Sequence, residues 1–210
     1  MAAAEMHPLV KVGGLADVLG ALPRAMAKAG HRVRVILPGY AHLALPPGTR
    51  PVPHEEVREA AFPYGARRQQ ARFASFPVRG IEVVVAHLPG IHREGEGTYA
   101  DETSFVAFSR AIAAYLEAAP RRPDVVHLHD SHTALVAAML REGVAGGAPL
   151  RIPSVLTIHN LAYQGNFGPD LLPRTGLPAP CLQPMGPCEF HGRINALKAG
   201  IVYAGAVTTV

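Results

Sequence analysis

The sequence predicts an α/β fold in which a parallel sheet carries helices on both faces. Three observations lead there. Short segments rich in β-branched and apolar residues, at 32–37, 81–88, 125–129 and 154–159, alternate with longer stretches of helical periodicity. One of them, 81–88, carries Val83-Val84-Val85 and reads as a buried strand. The polar pairs His129-Asp130 and His159-Asn160 stand at the carboxyl ends of two of them. Ligands bind at that end in open parallel sheets.

In chain order, the first helix is expected over 15–29, where Leu15, Val18, Leu19, Leu22 and Met26 form an apolar face and Gly30 is the stop. Pro23 falls inside it and is expected to bend it or to begin its second half. The run 32–37 alternates and then turns apolar, a strand ended by Pro38-Gly39. Residues 44–69, rich in proline and charge, give no clear pattern. Strands follow at 70–76 and 81–88, the second buried on account of Val83, Val84 and Val85. The clearest helix is 101–118, with Phe105, Phe108, Ile112, Tyr115 and Leu116 on one face and Asp101 available as its cap. A strand at 125–129, a helix at 133–142 and a strand at 154–159 come next. A proline- and glycine-rich loop covers 165–187, and a helix at 193–203 leads to a last strand at 206–210.

Hydrophobic residues make up 49% and charged residues 17% of the 210, enough for a substantial core. No run of about 18 apolar residues marks a membrane span, and no basic flank with an apolar core marks a secretory leader. Residence in the cytoplasm is expected. The net charge of +4 comes from 17 arginines and three lysines that form no basic stripe, so nucleic acid is not an expected partner. Cys181 and Cys188 are too few for a disulfide framework and lack the paired spacing of a zinc site.

Three segments carry chemistry. In Lys11-Val12-Gly13-Gly14-Leu15-Ala16-Asp17, paired glycines open a helix whose first amides and positive dipole suit a phosphate or a polar ring. A plain tight turn would use the same glycines, and the G-x-G-x-x-G order of a dinucleotide site is absent. His127-Leu128-His129-Asp130 invites a metal reading, because alternate strand residues point to one side. The acid here follows the second histidine directly, unlike the usual metallohydrolase order, which favours a packing or supporting role for His127 and leaves Asp130 for a ligand. In His159-Asn160-Leu161-Ala162-Tyr163-Gln164-Gly165, neutral polar and aromatic groups crowd one turn, as sugar recognition requires; a satisfied buried pair is the plainer alternative. Tyr99 reads chiefly as a packing residue.

The stretches KVGGLADVLGALP, DVVHLHDSH, SVLTIHNLAYQG and EFHGRINALKAGIVYA, in this order, resemble the bacterial glycogen synthase and plant starch synthase family over residues 7–210. The resemblance implies a Rossmann-like domain forming the N-terminal half of a GT-B glycosyltransferase. It implies retaining transfer of glucose from ADP-glucose to the non-reducing 4-OH of an α-1,4-glucan such as glycogen, with no cofactor and no metal. As catalytic positions, Asp130 matches the family's acidic residue that orients substrate in the cleft, and His159 the histidine beside the reacting sugar. Lys11, Gly13, Gly14, Asp17, Tyr99, Asn160 and Gln164 match substrate-binding positions.

The resemblance also marks departures. Ser131 stands where the family has tryptophan, and Gly205 where aspartate is common. The first strand is expected to be missing or replaced by alanines, exposing a sheet edge beside Val33 and Val35. Both ends read as interrupted, so 1–210 is expected to be an incomplete catalytic domain lacking a C-terminal nucleotide-binding domain and nearly inactive alone. The alternatives are a truncated glucan-binding domain without catalysis and a metal-dependent hydrolase using His127, His129 and Asp130.

Overall fold

The structure, a computed structural model, describes residues 1–92 and 95–210. Helix α1 (Gly14–Lys28) leads into β1 (Arg34–Pro38), β2 (Val52–Pro53), β3 (Glu59–Tyr64), β4 (Arg67–Val78) and β5 (Ile81–His87). Then come α2 (Ser104–Ala118), β6 (Val126–His129), α3 (Ser131–Glu142) and β7 (Ser154–Ile158). The rest comprises β8 (Asn166–Phe167), α4 (Leu172–Thr175), β9 (Glu189–Phe190), β10 (Arg193–Asn195), α5 (Ala196–Tyr203) and β11 (Ala206–Thr209). No helix of the described residues is long and apolar enough to cross a membrane.

Of the two expectations for the first strand, that it is missing or that alanines replace it, residues 1–4 match the second, and the open edge expected with it is corrected. Ala2 bridges in parallel to Ile36 of β1 on one side and to Leu128 of β6 on the other. The Ala2 amide donates to His127 O at 2.8 Å and the Ile36 amide to Met1 O at 2.9 Å. The sheet therefore runs β2–β4–β5–β1, then residues 1–4, then β6–β7–β11. Val35 is fully buried, not left at an open edge. Alanine is a weak strand former, so nothing in the local sequence announces this strand. Its small side chains fit because both faces are covered: Ala2 and Ala4 pack in the cluster of α2 and α3, and Ala3 in the cluster of α1.

The same alternation sorts the neighbouring strands. Val35, Leu37, Val83 and Val85 face α1 with Leu15 and Leu19. Ile36, Val84, Ala86, Leu128 and Leu156 face the other way, onto Phe105, Phe108 and Ile112 of α2 and Val136 and Leu140 of α3. The parallel pairs are β1–β5, β6–β7 and β7–β11, as expected. The unpatterned region adds antiparallel strands instead: β2 and β3 both pair with β4, and β4 with β5.

Helix α1 continues through Pro23 as one element. It lies close over the preceding turn at Gly20, where a Cβ would stand 3.0 Å from His7 O. The expected helix at 193–203 is divided: Arg193–Asn195 is a strand, and Asn195 Oδ1 accepts the Lys198 amide at 2.7 Å to cap α5. Asp101 does not cap α2 directly but holds the turn before it, accepting the Thr103 amide at 2.9 Å.

Because Ala3 is wholly buried between packed layers, Ala3→Leu is expected to lower stability by about 1–3 kcal/mol in urea unfolding. An unchanged midpoint would mean that residues 1–4 are not a central strand.

Candidate active site

The site lies at the carboxyl ends of β6 and β7 and at the loop that opens α1. Asp130 ends β6 at φ 59° and ψ −177°, a backbone region that side chains rarely adopt. Three bonds hold it there. Its amide donates to Thr157 O at 3.0 Å. Its Oδ1 accepts the amides of His159 at 2.7 Å and Asn160 at 3.3 Å. The carboxylate thus sets the backbone of the turn that carries His159. Asn160 Oδ1 in turn accepts the Ala162 amide at 3.0 Å.

Beyond that turn, Gly165 adopts φ 63°, and a Cβ there would meet Ala196 Cβ at 3.0 Å and Ser131 Cβ at 3.2 Å. Only glycine lets the starts of α3 and α5 approach so closely. Gln164 Oε1 accepts from Asn195 Nδ2 at 2.9 Å, and the same nitrogen reaches Asn166 Oδ1 at 2.9 Å. Gln164 is therefore oriented by the first residue before α5. Ser131 helps line a pocket of about 10 Å³ with Phe105, His132, Tyr163 and Phe167. That is room for one water.

The glycine loop is built over a buried acid that sequence reasoning missed. Glu5 is 3% exposed, and its Oε2 accepts the amides of Val12 at 2.6 Å and Gly13 at 3.0 Å. These amides are not bare, as the loop sequence suggests; a carboxylate of the protein occupies them. Tyr99 donates its hydroxyl to Glu5 Oε1 at 2.8 Å, and burial followed by the Glu5 charge pushes that phenol well up. A buried acid must be paired, so an isolated glutamate in the apolar segment before the loop was the signal available. Lys11 Nζ lies 2.7 Å from Asp17 Oδ1 in an exposed ion pair across the loop, while Gly14 begins α1.

The two halves meet through rings. Tyr99 lies 4.9 Å from His132 between centroids, and His132 follows Ser131 at the start of α3. Lys11, Gly13, Gly14, Asp17 and Tyr99 thus form one group around Glu5, and Asp130, His159, Asn160 and Gln164 a second, with the Tyr99–His132 contact between them.

Under the second group lies a row of neutral histidines. His127 and His129 stack at 4.2 Å. His127 Nε2 lies 2.7 Å from Thr157 Oγ1, and His129 Nδ1 lies 2.9 Å from His159 Nε2. Burial pushes His127 down to about 4 and His129 to about 2. Among the described residues, no three His, Cys, Asp or Glu side chains are grouped to hold a metal ion. Cys181 and Cys188 are free thiols buried under α5, Cys181 Sγ lying 3.6 Å from the Tyr203 hydroxyl.

Two outcomes follow. Asp130→Gly and Asp130→Ala both remove the carboxylate, but only glycine relieves the backbone. The glycine variant is expected to be more stable by about 1–2 kcal/mol in urea unfolding; equal stability would refute the strain. For acidification, histidines with folded values below the unfolded value of about 6.5 leave the unfolded chain binding more protons. Their contribution is full above pH 6.5 and is lost as pH falls towards 4 for His127. The urea midpoint is expected to drop between pH 7.5 and 5, less so in His127→Asn; a midpoint flat over that range would contradict the buried neutral state.

The sequence profile for the starch synthase catalytic domain matches residues 1–210. The chain is 40% identical to a glycogen synthase of Burkholderia thailandensis, over 99% of its own length and 40% of that protein's. It is 39% identical to a glycogen synthase of Novosphingobium aromaticivorans, over 99% and 43%. The catalytic domain of starch synthase IV from Arabidopsis thaliana, bound to ADP and acarbose, superposes with a TM-score of 0.86 at 29% identity, over 100% of this chain and 44% of that one. The chain spans less than half the length of these relatives. A mixed sheet with a parallel centre, built as one half of such a two-domain enzyme, and a match from the first residue to the last place this chain in the glycogen and starch synthase family.

Proposed function

We propose that residues 1–210 are the N-terminal catalytic domain of a glycogen synthase. In this reading the enzyme transfers glucose from ADP-glucose to the non-reducing 4-OH of an α-1,4-glucan with retention, using no resident cofactor or metal. The observation that carries it is the contact between the two groups. A glycine loop bearing the exposed Lys11, whose charge can meet a phosphate, is linked through the Tyr99–His132 contact to a turn of hydrogen-bonding groups suited to a sugar. The names of the relatives and the ADP and acarbose on the structural neighbour support the same pairing of ligands.

The roles follow from the geometry. Lys11 lends charge to the donor phosphates once it leaves Asp17, and Gly13 and Gly14 keep the backbone open to a close approach. His159, Asn160 and Gln164 bind sugar hydroxyls, and Asp130 fixes the turn from which they project. Tyr99 acts through Glu5, holding the loop in shape. Transfer breaks the C1–O bond to the diphosphate and forms one to the acceptor 4-oxygen, whose proton leaves with the phosphate side. The site lowers that barrier by positioning and by charge at an oxocarbenium-like centre. Most of the nucleotide is held by a domain outside residues 1–210.

The test joins this chain to the C-terminal half of the B. thailandensis relative and follows ADP release from ADP-glucose with glycogen, chelator present. The joined protein is expected to turn over and the isolated chain to be nearly silent. Lys11→Ala in the joined protein is expected to lose about tenfold or more in kcat/KM. A folded but silent joined protein, or ordinary turnover by the isolated chain, would overturn the corresponding part of the proposal.

A further inference from the structure

The imidazoles of His129 and His159 share one hydrogen bond, 2.9 Å from Nδ1 to Nε2. One nitrogen must donate and the other accept. Which does which decides what His159 shows to the cleft, because a ring nitrogen that accepts carries no hydrogen and leaves the N–H to the other nitrogen.

His129 is fully buried, and its Nε2 has no partner among the described residues. Its surroundings keep it neutral: burial drives its pKa to about 2, and His127 and His159 act in the same direction. If its hydrogen were on Nε2, a buried N–H would be left without an acceptor and would forfeit its solvation uncompensated. Orphaned buried N–H groups are rare, and unsatisfied acceptors less so. With the hydrogen on Nδ1 the donor is satisfied by His159, and only a lone pair is left bare. The ring cannot easily turn to seek another partner. It is stacked on His127, and its backbone amide is held by Thr133 Oγ1 at 2.8 Å.

We propose that His129 is a positioning residue that locks His159 as the Nδ1–H tautomer, so that His159 offers the cleft a hydrogen-bond donor and not a lone pair. His159 Nε2 is then the acceptor for His129, which leaves the ring's N–H at Nδ1. No hydrogen bond to that atom is made among the described residues, and the ring is half-buried. A donor fixed there suits an oxygen lone pair, on a sugar hydroxyl or a phosphoryl group. It cannot serve at Nδ1 as a base. The catalytic consequence rests on the transferase reading above; the tautomer itself does not.

The test is a long-range ¹H–¹⁵N correlation spectrum of the full 210-residue chain at pH 7.5, in which the two neutral tautomers give different cross-peak patterns. His159→Gln assigns the His159 signals by their loss. The unaltered chain is expected to show both His129 and His159 as Nδ1–H. His129→Leu is expected to return His159 to the Nε2–H form that free imidazole favours in water. His129→Asn, whose amide nitrogen stands where Nδ1 was, is expected to retain Nδ1–H at His159. An Nε2–H signature for His159 in the unaltered chain would overturn the proposal, as would an Nδ1–H signature that persists in His129→Leu. Should the leucine variant fail to fold, the unaltered chain and the asparagine variant still decide. The expected tautomers with a silent joined enzyme would defeat the transferase reading and leave this one standing.

Discussion

The carboxylate of Asp130 accepts the amide of His159 at 2.7 Å and that of Asn160 at 3.3 Å, and through those bonds the ends of β6 and β7 become one corner. The corner holds a backbone conformation that an aspartate adopts only under constraint. The constraint comes from three sides: the start of α3, the bond from the Asp130 amide to Thr157 O, and the turn itself. Removing any one frees the others. Placement of His159 is thus a property of the whole sheet edge, not of the loop alone.

A second buried carboxylate does for the glycine loop what Asp130 does for the histidine turn. Glu5 leaves the strand of residues 1–4 and takes two loop amides on one oxygen and Tyr99 on the other. Each acid is buried, and each has its charge met by several N–H or O–H donors, the condition under which a buried carboxylate is tolerated. Glu5 spends both of its carboxylate oxygens on shape, and Asp130 spends Oδ1. The groups left for a ligand are the ones these acids position.

The sequence made the parallel centre legible because β1, β5 and β7 are largely apolar runs, and burial of that kind is written into composition. The motifs at 129–130 and 159–160 were legible for the same reason: a polar pair directly after an apolar strand has few places to be. The strand of residues 1–4 was not legible. Alanine favours no strand, and its place is decided by β1 and β6, far away in sequence. Glu5 was lost with it, since its meaning depends on what lies above that strand. The pairing of β2 and β3 with β4 was hidden by prolines that suit edge strands as well as loops. His129 was weighed only as a metal ligand, because its bond to His159 spans 30 residues.

Charge gives a last constraint on what this half can do. A leaving diphosphate needs cations beside it, and the lysines of the two motif regions are both engaged. Lys11 is bound to Asp17, in an exposed pair that solvent weakens and that a stronger anion can displace. Lys198 is bound to the backbone oxygens of Gly186 at 2.9 Å and Glu189 at 2.5 Å, which turns its charge towards the 181–190 loop. The histidines in the cleft wall are held neutral by burial, so they add hydrogen bonds but no charge. Among the described residues, the two motif regions therefore supply shape, a fixed set of donors and acceptors, and the charge of Lys11 once it leaves Asp17. On the proposed transferase reading, separating a diphosphate from a sugar calls for more positive charge than one lysine brings, and that reading takes the rest from outside residues 1–210.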